Sequence, residues 1–409
     1  MSVPQKAGLS RGVIVVIVAG CLIATIGFGV RATFGLFLDP LTEARGFDRE
    51  TFGLALAIQN LLWGIGVPIA GALADRYGTR IVIGLGALAY AGGVWGMSEA
   101  ASGTALHLFA GVTVGVGVSF TSFALVLTSL AKIVGPERRA WALGLGTAAG
   151  SLGQVIFSPL GNELINRWGW DTALIILAVT VVALVPLALA MPSDPSAVGE
   201  SELGRSIRSS LREAFAHRGY VLLTLGFFVC GLQIAFITVH LPAYVKDLGH
   251  PASVGAIAIA IVGGFNIVGS FLAGIAGKRW SMKQSLAFIY GVRSILILGL
   301  LVLPKTQLTI YVFAATMGLM WLSTVPLTSG IVAQVFGARF MATLFGVVFF
   351  SHQLGSFLGV WLGGRIFDAT GSYDPIWWAS IGLGIGAMLV HLPIDERPLG
   401  RLVAQRVSA

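Results

Sequence analysis

Charge is what this sequence has least of. Only 11% of its 409 residues are charged, less than half the ~25% of ordinary soluble domains. A water-soluble globule of this length would lack its polar coat. That argues against soluble enzymes, nucleic-acid binders and disordered scaffolds. The 18 acids avoid the middles of the apolar stretches altogether, so no buried carboxylate is offered to a cationic substrate or to sodium. Cysteine is nearly absent: Cys21 and Cys230 stand in separate apolar stretches, which gives neither a disulfide framework nor metal-ligand spacing. No metal and no cofactor is expected. No nucleophile–base pair, no phosphate-cradling glycine loop beside a strand and no long polar domain is present. An enzyme, an ATPase and a signalling sensor therefore all lack their parts.

Apolar sequence is what fills the chain. Hydrophobic residues make up 56%, the mean hydropathy is +0.87 and there are 55 glycines. A spanning helix needs about 20 mostly apolar residues, and glycine suits close helix packing in a bilayer. Runs one to six lie at about 13–38, 50–74, 80–99, 104–131, 140–165 and 170–191. A polar stretch at 193–218 follows. Runs seven to twelve lie at about 220–245, 252–277, 284–303, 306–334, 340–366 and 373–394. The expected fold is an all-α membrane protein of twelve transmembrane helices.

The net charge of +8 and pI near 9.8 would suggest nucleic acid in a soluble protein. Here the basic residues sit between apolar runs. With both termini cytoplasmic, 18 Lys and Arg fall inside and 6 outside, while Arg31 and Arg293 stay within runs. That bias sets the orientation.

The halves repeat. Gly71 and Gly274 are 203 residues apart; Gly144 and Gly346, and Gly169 and Gly371, are each 202 apart. A constant offset at three places implies two pseudo-symmetric six-helix bundles, 1–192 and 219–409, joined by a cytoplasmic linker at 193–218. Secondary transporters are commonly built this way, with the substrate site between repeats near the bilayer midplane.

The segment between runs two and three reads GALADRYGTRIVI. It resembles the signature loop of the major facilitator superfamily; the second copy, GIAGKRWSMKQ, has Lys278 in place of the acid. Asp75 can accept from a helix N-terminus or a basic side chain. With Arg76 and Arg80 it would form a cytoplasmic gate that holds the outward-open state. The alternative is topogenic charge alone. The resemblance further implies alternating access by a monomer.

Inside the runs, a charge near the bilayer centre costs about 2.5–3.5 kcal/mol on insertion scales. Arg31 and Arg293 have no intramembrane acid to pair with, so an anionic substrate is the inferred partner. For Arg31 the other reading is bonding to helix carbonyls. For Arg293 it is support of the bundle. Polar residues that could complete a substrate site are Gln59, Gln233, His240, Asn266, His352 and Gln353, with Asn60, Gln154 and Ser270 beside them. Each amide could equally be interhelical glue, and His240 could be interfacial. Histidine can carry a proton or help neutralise an anion. Phe123, Trp321 and Phe349 could stack on a flat substrate or simply pack.

RATFGLF around Arg31 and GVVFFSH before Gln353 are similar to segments of the monocarboxylate transporter and oxalate:formate antiporter branch. There, lysines of helices one and eleven bind substrate; Arg31 and His352 fall on those positions. Asn266 matches a helix-eight position, whereas Ser270 replaces an arginine and Phe123 stands where a tyrosine is frequent. These departures favour a larger aromatic or amphipathic anion. The expected function is secondary transport of a small organic anion, a monocarboxylate, across the bacterial inner membrane with protons as the coupling ion. Arg31 would bind the carboxylate, with Arg293 and His352 adding positive potential. The alternative is efflux of amphipathic compounds. Beyond substrate, protons and lipid, no partner is expected.

Overall fold

The computed structural model describes residues 10–122, 125, 126, 129, 134, 139–191, 193, 207–337 and 341–399. Phe123 lies outside them, as does half of the polar stretch, 194–206. Every regular element among the described residues is helical. Among the described residues, ten helices are long and apolar enough to cross a membrane. One of them, Gly144–Ala188, contains Gly169 with φ +82, where the chain turns between runs five and six. The helix of run twelve, Asp374–His391, has 18 residues.

These helices carry apolar residues on every face. The outward faces keep large side chains such as Phe271, Ile295, Leu308 and Trp280 exposed, as lipid contact allows. The inward faces make three cores. One gathers residues from Ile17 to Met191 with a few from runs seven and eleven; the other two draw on Ala214 to Ile394.

The three glycine pairs that share one offset also share surroundings. Gly71 and Gly274, and Gly144 and Gly346, have nothing within 4 Å of an added Cβ; Gly169 and Gly371 both take positive φ, 82° and 72°.

Several apolar runs are not single helices. Run one forms Arg11–Ala32, then a 3-10 turn Phe34–Phe37, then Leu38–Arg45. Run four is interrupted by a π segment, His107–Thr113. Run ten, which the hydropathy reads as continuous, breaks into Gln307–Met320 and Thr324–Phe336. Hydropathy is blind to such a break, because Leu319, Met320, Leu322 and Val325 keep the segment apolar.

Small residues bring the two parts of the chain together. A Cβ on Gly263 of run eight would come within 2.9 Å of the Ser151 carbonyl of run five; one on Gly53 of run two would come within 2.8 Å of the Val360 carbonyl of run eleven. Backbones this close require glycine.

Candidate functional site

Arg31 stands in the last turn of Arg11–Ala32. Its Nη2 donates to Asn60 Oδ1 at 2.5 Å, and its guanidinium lies 4.7 Å from the centroid of the Trp63 ring. Its Nε is buried with no hydrogen-bond partner. No carboxylate pairs with it among the described residues. A recess of about 20 Å³ beside it is lined by Gly27, Phe28, Trp63, Thr121 and Ser122; that is room for one water molecule.

Trp63 is also the bridge to the second half. It meets Phe349 edge-on at 5.6 Å, and Phe349 stacks on His352 at 5.9 Å with 7° between planes. Phe227 covers another side of His352 at 4.9 Å. Arg31 and His352, named separately from the sequence, thus stand on opposite sides of one aromatic pair. His352 is 8% exposed and its Nδ1 is 3.3 Å from Gln353 Oε1. Gly64 of run two packs on the Gln353 side chain, while Gln353 Nε2 has no partner.

The other sequence candidates sit elsewhere. Gln59 donates to the Ala110 carbonyl at 3.0 Å, and Gln233 to the Ser380 carbonyl at 3.0 Å; both bonds join helices. Asn266 donates to Ser151 Oγ at 2.9 Å and accepts from the Leu322 N–H at 3.0 Å. Arg293 is fully buried; its Nη2 donates to the Met320 and Trp321 carbonyls, both at 2.5 Å, and its Nη1 to Cys230 Sγ at 3.3 Å. The break in run ten therefore has its freed carbonyls on Arg293 and its freed N–H on Asn266. Away from water, such groups need internal partners.

His240 belongs to a closure at the end of the helices away from residues 10 and 399. Its Nε2 lies 2.8 Å from the Val360 carbonyl and its Nδ1 3.0 Å from Tyr373 Oη. A carbonyl can only accept, so Nε2 carries the hydrogen and Tyr373 donates to Nδ1. Arg49 Nη1 donates to Tyr373 Oη at 3.1 Å; its Nη2 donates to Asp39 at 3.0 Å, and both nitrogens reach Asp247. Lys246 pairs with Glu43 at 2.9 Å. The Asp368 carboxylate accepts the Arg49 and Glu50 N–H groups at 3.2 and 2.6 Å, where a helix N-terminus favours negative charge. Runs one and two are thereby tied to runs seven, eleven and twelve.

That closure escapes a sequence reading, which sees only flanking charges at run ends. Acids and bases alternating at the same predicted end of runs one, two, seven and eleven were its one available signal. The proposed gate residues lie at the opposite end. Asp75 is half-buried and engaged with another group, Arg76 lies over the Tyr77 ring at 5.2 Å, and Arg80 keeps a buried Nε without a partner. Among the described residues no group of His, Cys, Asp and Glu could hold a metal.

Comparison with known proteins places the chain among membrane transporters. The chain is 26% identical to the uncharacterised MFS-type transporter YcxA of Bacillus subtilis, over 90% of this chain and 91% of that one. It is 26% identical to monocarboxylate transporter 11 of Homo sapiens, over 96% and 85%. A D-xylose-proton symporter crystal structure superposes with a TM-score of 0.75 at 15% identity, covering 95% of this chain and 99% of that chain; at that identity the likeness is one of fold. The Major Facilitator Superfamily profile matches residues 20–360. The chain is thus a multi-pass membrane transporter, and it belongs to the Major Facilitator Superfamily.

Proposed function

We propose that this transporter carries a small organic anion, recognised through its carboxylate, across the bacterial inner membrane by alternating access. Twelve spans form two six-helix halves, 1–192 and 219–409, with both termini and the linker cytoplasmic, and the monomer is the working unit. Arg31 binds the carboxylate. Trp63 and Phe349 flank the organic part, and His352 adds a donor from the second half.

The observation that carries this reading is the state of Arg31. It is a guanidinium inside a spanning helix, bonded to a neutral amide and an aromatic face, with its buried Nε–H left without a partner. Ionisable groups in spans mark substrate pathways by default. The monocarboxylate transporters among the relatives support an anionic substrate. Gln233, His240 and Asn266 serve helix contacts in this conformation, and Arg293 serves the run-ten break. The absence of any mid-span carboxylate supports protons over sodium as the coupling ion.

The test is uptake of a labelled carboxylate panel into proteoliposomes, with and without an imposed proton gradient. Arg31→Ala should abolish uptake of the accepted anion while leaving thermal unfolding unchanged. Unaltered uptake in Arg31→Ala overturns the assignment. Transport of neutral amphipathic compounds alone would favour efflux.

A further inference from the structure

Arg293 raises a question of charge. It is fully buried, yet the acids of the helices around it, Asp247, Asp368 and Asp374, all stand at the far outer ends, and runs nine and ten have none. Two carbonyls take its Nη2. What takes its Nη1 is the sulfur of Cys230, at 3.3 Å. The same sulfur lies 3.3 Å from Thr324 Oγ1, the first residue of the second half of run ten. The His352 imidazole of run eleven lies on the same face of run seven, 4.9 Å from the Phe227 ring one turn before Cys230; there the backbones touch, since a Cβ on Gly231 would collide with the His352 carbonyl.

A second observation points into this cluster. Tyr290 and Arg293 are both fully buried, and Tyr290 Oη and Arg293 Nε have no hydrogen-bond partner. The Tyr290 ring is 5.6 Å from the Arg293 guanidinium that bonds the thiol, and His391 of run twelve stacks on it at 5.0 Å. The Cys230 sulfur thus meets Arg293 of run nine and the Thr324 hydroxyl of run ten, with Tyr290, His391 and the His352 imidazole of run eleven in the layer around them. Donors surround the sulfur, and no carboxylate is among them.

We propose that Cys230 is a proton-binding site of the transport cycle, exchanging its proton with His352 and acting, when ionised, as the counter-ion of Arg293. The S–H bond breaks and an N–H bond forms on the imidazole, while the electron pair stays on sulfur. Arg293 and Thr324 donate to the resulting thiolate. The imidazolium then faces the Phe349–Trp63 side, where the anion is held, and on release the proton returns by the same route or leaves to water. A thiolate is the reactive, strongly accepting form of cysteine, and a neighbouring cation favours it. The role in coupling rests on the anion-transport reading; the protonation chemistry of the thiol does not.

The test separates the two. In a Cys21→Ser background Cys230 is the sole cysteine of the full-length chain. Ultraviolet thiolate absorbance of the purified protein, followed against pH, should show one step that Cys230→Ser removes and His352→Gln displaces. In proteoliposomes, Cys230→Ala should lose the gain in carboxylate accumulation that an inward proton gradient gives, relative to exchange of labelled for unlabelled carboxylate. A thiolate step that His352→Gln leaves unmoved, or full gradient-driven accumulation in Cys230→Ala, overturns the proposal. If no carboxylate is transported by the parent protein, the anion reading fails, and the thiolate titration still decides the proton site.

Discussion

Arg49 and Asp247 form a two-pronged ion pair, Nη1 to Oδ2 at 2.6 Å and Nη2 to Oδ1 at 2.9 Å, between the start of run two and the end of run seven. The guanidinium also lies 3.8 Å from the Phe367 ring centroid. One side chain thereby joins runs one, two, seven and eleven at the end assigned to the outside. In an alternating-access cycle these bonds must part for that end to open.

Asp247→Asn should therefore shift the population toward an outward-open form. A partly exposed two-pronged pair is worth about 1 kcal/mol, which is about fivefold in the equilibrium. A cysteine placed at the buried Val360 reports it: labelling by an impermeant maleimide from outside should speed up in Asp247→Asn. An unchanged labelling rate would show that the pair does not hold the outer end shut.

Trp63 connects the two sides of the site. Replacing it with Leu removes the ring beneath Arg31, a contact worth about 1 kcal/mol. The expected result is a rise in KM of about fivefold for the accepted anion, with folding preserved. A fall in maximal rate at constant KM would place Trp63 in the conformational step instead.

Asn266 holds the Leu322 N–H and reaches Ser151. Asn266→Leu leaves both without that partner at the run-ten break. An orphaned buried donor costs about 1–3 kcal/mol, so the apparent Tm should fall by several degrees. Ser151→Ala removes only the second bond and should fall less. Equal losses would mean that the break does not depend on Asn266.

The repeat makes a glycine prediction. A Cβ on Gly355 of run eleven would collide with the Phe228 carbonyl of run seven, whereas one on Gly346, nine residues earlier, meets nothing within 4 Å. Gly355→Ala should destabilise by about 1–3 kcal/mol. Gly346→Ala should be neutral or slightly stabilising, since Ala is the better helix former by about 1 kcal/mol. Thermal unfolding of the two variants side by side checks it.

Much of the architecture was readable because a bilayer constrains sequence so strongly. Span length and the exclusion of charge from span interiors leave their marks on every run. The same uniformity hid the breaks: nothing in LMWLSTV tells an interrupted helix from a continuous one. Of the site, Arg31 and His352 stood out because each is ionisable within an apolar run. Trp63 and Cys230 did not, because an aromatic residue and a thiol are ordinary in such runs. Gln59 and Gln233 look as functional as any mid-span amide, and only their acceptors, the Ala110 and Ser380 carbonyls, reveal helix-to-helix bonding.

The sequence by itself determined that this chain lies in a membrane, that its loops are charged asymmetrically and that an offset of 202–203 residues relates its glycines. Those properties reside in composition and order along the chain. Tertiary structure alone decided what each polar side chain faces. It set Arg31 and Trp63 across Phe349 from His352, gave Arg293 to a helix break and a thiol, and gathered Arg49, Asp39, Asp247 and Tyr373 into one closure. Distant helices must pack before such partners exist, and in a low-dielectric interior the partner determines what a buried charge can do.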